Sequence, residues 1–233
     1  SPANVEFKRT TTVNDLKKRG MGEALLGSKS ETERAAALLR KDIREADRSI
    51  TRREEYMAAQ TMLYNACTLR HYIDEYGGNK YEDWTLKFYR GEGNPGTYVP
   101  AKLWTDADAD ILGDIEAMAE PLLENGQGAT DLIMAGDVHK TILNNPKVKE
   151  YLDISNYSLG DISPVQLEGY RGVTKLGELN VNGLMVSLIT VKETYIDEIT
   201  RKRTPMIPSG TVILTAPAAG RTRYGAVNQI EEY

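Results

Sequence analysis

Apolar residues recur three or four apart at Leu39, Ile43, Ala46 and Ile50, and again at Met57, Ala58, Met62 and Ala66, with dense charges of both signs between them. This spacing predicts one long amphipathic helix from Ser30 to about Leu69, a stretch with no Pro or Gly. Ser30-Glu31-Thr32-Glu33 opens it as a capping box, in which the Ser30 hydroxyl and the Glu33 carboxylate each satisfy an orphan amide. If continuous, such a helix is about 55–60 Å long at ~1.5 Å per residue, longer than a compact domain needs. Its stripe is not a sustained a/d heptad, because charged pairs such as Arg52-Arg53 fall across it.

Around this helix the pattern changes. Residues 4–13 are rich in Thr and Val and partly alternate, which predicts an extended strand whose partner comes from elsewhere. Residues 14–29 read as a loop with a short turn of helix. Tyr72–Tyr76 and Trp84–Tyr89 read as two strands joined through Gly77-Gly78-Asn79. Thr105-x-x-Asp108 is expected to cap a helix with Ile111, Ile115, Met118 and Leu122 on one face, kinked or ended by Pro121 and stopped at Asn125-Gly126. Thr130–Ala135 reads as a short buried strand. Asp137 is expected to cap a short helix, and Asn145-Pro146 to start another. Val173–Leu179 and Leu184–Val191 flank Asn182-Gly183, the pair that supplies the positive φ angles of a tight hairpin. Further strands are expected at Thr194–Ile196, Thr211–Thr215 and from Tyr224 to Val227, with the basic tip Arg201-Lys202-Arg203 between the first two.

Composition narrows the classes. The 233 residues suffice for one large domain or two modest ones. A net charge of −5 argues against a protein that wraps nucleic acid, which needs a surplus of Lys and Arg on one surface. With Cys67 as the single cysteine there is no intrachain disulfide, which fits assembly in the cytosol. Cys67 falls in the predicted helical run and reads as a small half-buried apolar residue. No window approaches the ~18 apolar residues of a membrane span. The start at Ser1-Pro2 leads us to expect a processed chain or a piece of a longer one.

Candidate chemistry is sparse. His71, His139 and Cys67 make no zinc cluster or Cys-His dyad of evident spacing. Asp106-x-Asp108-x-Asp110 begins like a calcium loop, but the positions that need Gly and Glu hold Ile111 and Ala117, so helix capping explains the acids better. Gly91-Glu92-Gly93-Asn94-Pro95-Gly96 matches a phosphate-binding spacing, yet Pro95 removes an amide and Pro100 forbids the helix that should follow; it reads as a turn. No catalytic residue, cofactor site or metal site is assigned, and the chain is not expected to be an enzyme.

An ordered series of segments carries a resemblance. Asp108–Ala117, Asp131–Gly136 and Asn145–Leu152, then Pro205–Leu214, then Arg223–Val227, together with the helix around Ile50–Gln60, resemble the lambda-like major capsid proteins of tailed phages. The resemblance implies an α+β fold of the Hong Kong 97 type, with a long spine helix, a peripheral P-domain sheet and an axial, mixed α/β A-domain. It implies that residues 1–29 are part of the E-loop and its connection, 30–103 the P-domain with the spine helix, 104–215 the A-domain and its connections, and 216–233 the return to the P-domain. Family members carry an arm and a strand before this point and a strand after it, so a fragment of a longer protein is expected.

The implied function is a structural head protein that self-assembles as hexamers and pentamers into an icosahedral virion shell around double-stranded DNA, in the host cytoplasm. It would not bind DNA by sequence or enter a membrane. Scaffolding, portal and decoration proteins are the implied partners. A cargo compartment of the encapsulin kind and a soluble α+β enzyme subunit are the alternatives. Candidate intersubunit contacts are Arg52 and Arg53 on the helix, and Arg201, Lys202 and Arg203 at the basic tip.

Overall fold

A computed structural model of the chain describes residues 9, 12, 15, 30–72, 80–90, 95–149, 165–166, 172–197, 200–217 and 219–225. The expected strand at 4–13 (apart from Arg9 and Thr12), the Gly77-Gly78-Asn79 turn, residues 91–94 of the glycine-rich turn, the helix continuing through 150–152 and the segment from 226 onward lie outside the described residues.

Helix α1 spans Glu31–Tyr64, with both halves of the capping box formed: the Glu33 amide donates to Ser30 Oγ and the Ser30 amide to Glu33 Oε2. It ends earlier than its periodicity predicts. Asn65 adopts a left-handed conformation (φ 51°) with its amide on the Thr61 carbonyl, and the chain turns at once into strand β1, Ala66–Tyr72. Cys67 therefore lies in a strand and is fully buried, because alternation there turns Cys67 and Leu69 inward and Thr68 and Arg70 outward. β1 pairs antiparallel with β2, Tyr81–Lys87, in the register Cys67 to Leu86.

The loop before the next helix is tied down by one carboxylate. Tyr98 Oη and Trp104 Nε1 each donate to Asp114, both at 2.7 Å. Helix α2, Ile111–Glu124, is capped by Asp110 rather than from Thr105, and it buries Ile111, Ile115 and Ala119. Pro121 does not end it. Only one turn remains beyond the proline, and the Pro121 carbonyl, one of the last four of the helix, accepts from Asn125 Nδ2 at 2.7 Å.

The core lies against a five-stranded mixed sheet of β3 (Asp131–Ala135), β4 (Val165–Gln166), β5 (Val173–Val181), β6 (Leu184–Val191) and β9 (Val212–Thr215), in the order β4-β5-β6-β3-β9. β3 runs parallel to β6 and antiparallel to β9. The β5–β6 hairpin turns at Asn182 (φ 48°) and Gly183 (φ 92°), the two positive φ angles a two-residue turn of this hand requires. Helix α2 packs on β5 and β9, and helix α3, Val138–Asn144, on β3. Leu132, Met134, Ile142, Val181 and Val186 are among the fully buried side chains that join these layers.

Two polar residues fasten the layers. Asn145 is buried; its Oδ1 accepts the amides of Lys147 and Val148, capping the expected helical start at Pro146, while its Nδ2 donates to the Ala109 carbonyl. Asp137 stands at the N-cap position of α3 but makes no side-chain cap. Its carboxylate instead accepts from Ser209 Oγ (2.6 Å) and the Gly210 amide (3.1 Å), which holds the loop before β9, and these donors keep its pKa below the ordinary range.

A third, two-stranded piece, β7 (Thr194–Ile196) with β8 (Arg203–Pro205), leaves the main sheet after β6 and reaches helix α1. Tyr224 and Gly225 are not in a strand; Tyr224 Oη donates to Glu54 on α1, which returns the chain's last described residues to that helix.

Candidate functional site

Ser49, Arg52, Arg53 and Tyr56 recur at the spacing of one helix face, and that face forms one wall of an open groove of about 640 Å³. The second wall is the outward side of the β1–β2 pair, with Thr68, Arg70 and Asp83, and the third is the β7–β8 hairpin, with Thr194, Tyr195, Asp197 and Arg203.

Its parts are fixed by specific contacts. Tyr56 and Tyr195 meet with ring centroids 4.7 Å apart and planes tilted by 57°. Arg52 Nη2 donates to the Thr194 carbonyl and lies 4.0 Å from the Glu193 carboxylate. Arg53 sits 5.3 Å over the Tyr56 ring. Arg70 grips Asp83 with two nearly parallel bonds of 2.8 and 3.0 Å, and its guanidinium lies 3.6 Å from the Tyr81 ring centroid. That hydrogen bond lowers the Asp83 pKa. Beside the groove, burial and then the charge of Glu193 push the Glu55 carboxyl above its ordinary range, with Arg52 opposing. Burial, then Asp197, raises the Tyr195 hydroxyl.

Of the five candidate contact residues, the groove thus brings together Arg52, Arg53 and Arg203. Arg201 and Lys202 stand in the loop of the hairpin, exposed, where Arg201 takes a positive φ of 55° and Asp197 shapes the turn by accepting from the amide and hydroxyl of Thr200. Arg70, Tyr56 and Tyr195 were not legible as site residues. The helical spacing of 49, 52, 53 and 56 was a signal for one face; nothing local pairs that face with Tyr195.

The other candidates resolve locally. Asp110 is the cap of α2, and the exposed Asp108 carboxylate is 3.7 Å from Lys102 Nζ. His139 Nδ1 lies 2.8 Å from the Gly136 carbonyl, at the start of α3. Burial pushes the Cys67 thiol up, away from the reactive thiolate. Among the described residues no three His, Cys, Asp or Glu side chains are grouped to hold a metal ion, and no helix is long and apolar enough to cross a membrane. What the groove can do chemically is bind anionic groups through guanidinium, hydroxyl and aromatic surfaces.

The outer face of α1 is a second feature. Of its 34 residues only Ala59 is buried, while Leu39 (61% exposed) and Ile43 (58%) present apolar surface to solvent. Arg9 reaches this helix, pairing with Asp42 and Glu45.

A family model described as phage major capsid protein E matches residues 1–233. None of the curated proteins compared with the chain matches it. A crystal structure described as that of the "putative capsid protein of prophage (E.coli CFT073)" is similar at a TM-score of 0.56 and 19% identity, over 83% of this chain and 53% of that one. At that identity the likeness shows a shared fold, here a mixed α+β one. The chain spans about half the length of that relative.

Proposed function

This chain belongs to the phage major capsid protein E family, and we propose that it is a structural subunit of an icosahedral virion head, built from many copies as hexamers and pentamers around double-stranded DNA. The observation that carries the reading is the family match along residues 1–233. The architecture supports it in a specific way. A 34-residue helix with one buried side chain, Ala59, is poorly stabilised within its own chain and gains packing from neighbours.

In this reading the fold is of the Hong Kong 97 type, with α1 as the spine of a P-domain over residues 30–103, the A-domain and its connections over 104–215, a return over 216–233 and part of the E-loop over 1–29. The contact from Tyr224 to Glu54 supports the return. Arg52, Arg53, Arg201, Lys202 and Arg203 meet acidic surface of neighbouring copies. Each contact buries a modest strip, and closure of the shell makes their sum large. Scaffolding, portal and decoration proteins are further partners, and the DNA is held without sequence readout, as suits a net charge of −5.

Electron microscopy of the full-length protein tests this reading: uniform closed shells are expected. A discrete small oligomer at all concentrations would overturn it, and shells filled with a protein cargo instead of DNA in the native host would point to a compartment.

A further inference from the structure

Helix α2 carries Glu116, Glu120 and Glu124 four residues apart, all exposed, so they form one acidic stripe. Like charges at this spacing destabilise a helix. The stripe also runs to the C-terminal end, where the helix dipole disfavours anions, and no basic residue stands in the last turn. Among the described residues no ion pair reaches any of the three; Glu116 accepts only a neutral bond, from Asn182 Nδ2 at 2.8 Å.

The groove has the opposite sign. Arg52, Arg53, Arg70 and Arg203 line it against two carboxylates, Asp83 and Asp197, with the Glu193 carboxylate 4.0 Å from Arg52 at its edge, in a chain whose net charge is −5. Asp83 is taken by Arg70 and Asp197 by Thr200, while Arg203 is exposed and has no ion pair among the described residues.

We propose that the groove between α1 and the β7–β8 hairpin receives the Glu116–Glu120–Glu124 stripe of helix α2 from a second copy of this chain. The proposal rests on the shell reading above, since it needs neighbouring copies. Charge complementarity selects the occupant, and size agrees: the stripe is about 12 Å long at ~1.5 Å per residue, within reach of an open groove of about 640 Å³. Guanidinium–carboxylate pairs there would be charge-assisted and geometrically specific. The two surfaces differ, so the contact is head-to-tail, and a head-to-tail contact builds rings when its rotation closes. One contact then both neutralises the stripe and sets the direction in which copies follow one another around a capsomer.

A charge swap in the full-length protein tests it, read as the yield of closed shells by sedimentation and electron microscopy. Arg53→Glu with Arg203→Glu, and separately Glu120→Lys with Glu124→Lys, should each lower the yield about ten-fold or more, the scale of ~1.4 kcal/mol per contact. The thermal melt of the unassembled chain should stay within about 4 °C of the unaltered protein's, the scale of one lost cation–π contact. All four changes together should restore the yield to within about three-fold of the unaltered protein. Unchanged yield in either pair, or no recovery in the combination, overturns the proposal while shell formation itself stands. If the arginine pair instead lowers DNA retention in shells that still form, the groove serves phosphate and the proposal fails. Absence of shells in the unaltered protein removes the function reading first. Proximity gives a readout independent of these charge changes: with Cys67→Ala, Glu120→Cys and Arg203→Cys, a short bismaleimide should link copies within shells into a ladder on a denaturing gel, and no ladder in intact shells overturns the assignment.

Discussion

Helix α1 has 34 residues and buries one side chain, whereas helix α2 has 14 and buries three. The two differ in what their own chain offers them. Helix α2 lies on the five-stranded sheet, where Ile111 and Ile115 join a core that includes Leu132, Met134 and Val186, and Ala119 is buried as well. Helix α1 touches β1 and the β7–β8 hairpin, and leaves Leu39 and Ile43 in solvent. One region is stabilised by burial within the subunit, and the other is left largely exposed.

That contrast can be broken or sharpened by substitution. The largest effect is expected for Ile115→Ala, which opens a cavity at a residue with no exposed surface. Urea unfolding should show a loss of about 2–5 kcal/mol, and a loss under about 1 kcal/mol would deny the sheet region its role as the stable part. Asn145→Ala comes next. It leaves the amides of Lys147 and Val148 and the Ala109 carbonyl without their buried partner, at an expected cost of about 1–3 kcal/mol by the same assay.

Smaller and opposite in sign is Glu55→Gln. The folded-state pKa of Glu55 lies above its ordinary value of 4.5, so the native state takes up this proton before the unfolded chain does as pH falls. Ionised Glu55 therefore destabilises the fold fully above the folded-state pKa, and the penalty is gone below about pH 4.5. Calorimetry should find Tm raised by the substitution at pH 7 and unchanged at pH 4. A lower Tm at pH 7 would mean that attraction to Arg52 outweighs burial and Glu193. Least of all should move with Leu39→Ser and Ile43→Ser on α1: stability of the unassembled chain within about 0.5 kcal/mol, alongside a reduced yield of shells. A large loss of monomer stability would erase the distinction between the two regions.

Much of this was legible in the residues because it is local. The capping box at Ser30 and Glu33, the turn at Asn182-Gly183 and the cap at Asn145 act over two to four positions, and each formed where the spacing put it. Helix periodicity named Ile111 and Ile115 as core. The order of segments along the chain pointed to the capsid family, which the match over residues 1–233 bears out.

Tertiary structure decided the rest. Periodicity carried α1 past Asn65 because Ala66 and Leu69 keep a helical spacing, but pairing with β2 gives the backbone from Ala66 onward a hydrogen-bonded alternative that places Cys67 and Leu69 inside. Asp137 looks like a cap by position, yet its carboxylate serves Ser209 and Gly210, which only the folded chain brings near. Arg52 and Arg203 are each unremarkable as charges in their own segments, and they share a groove because the β7–β8 hairpin folds back onto α1 through Tyr195 and Tyr56. Residue type and spacing fix interactions within a few positions, whereas the meeting of distant segments depends on which surfaces the whole chain can bury together.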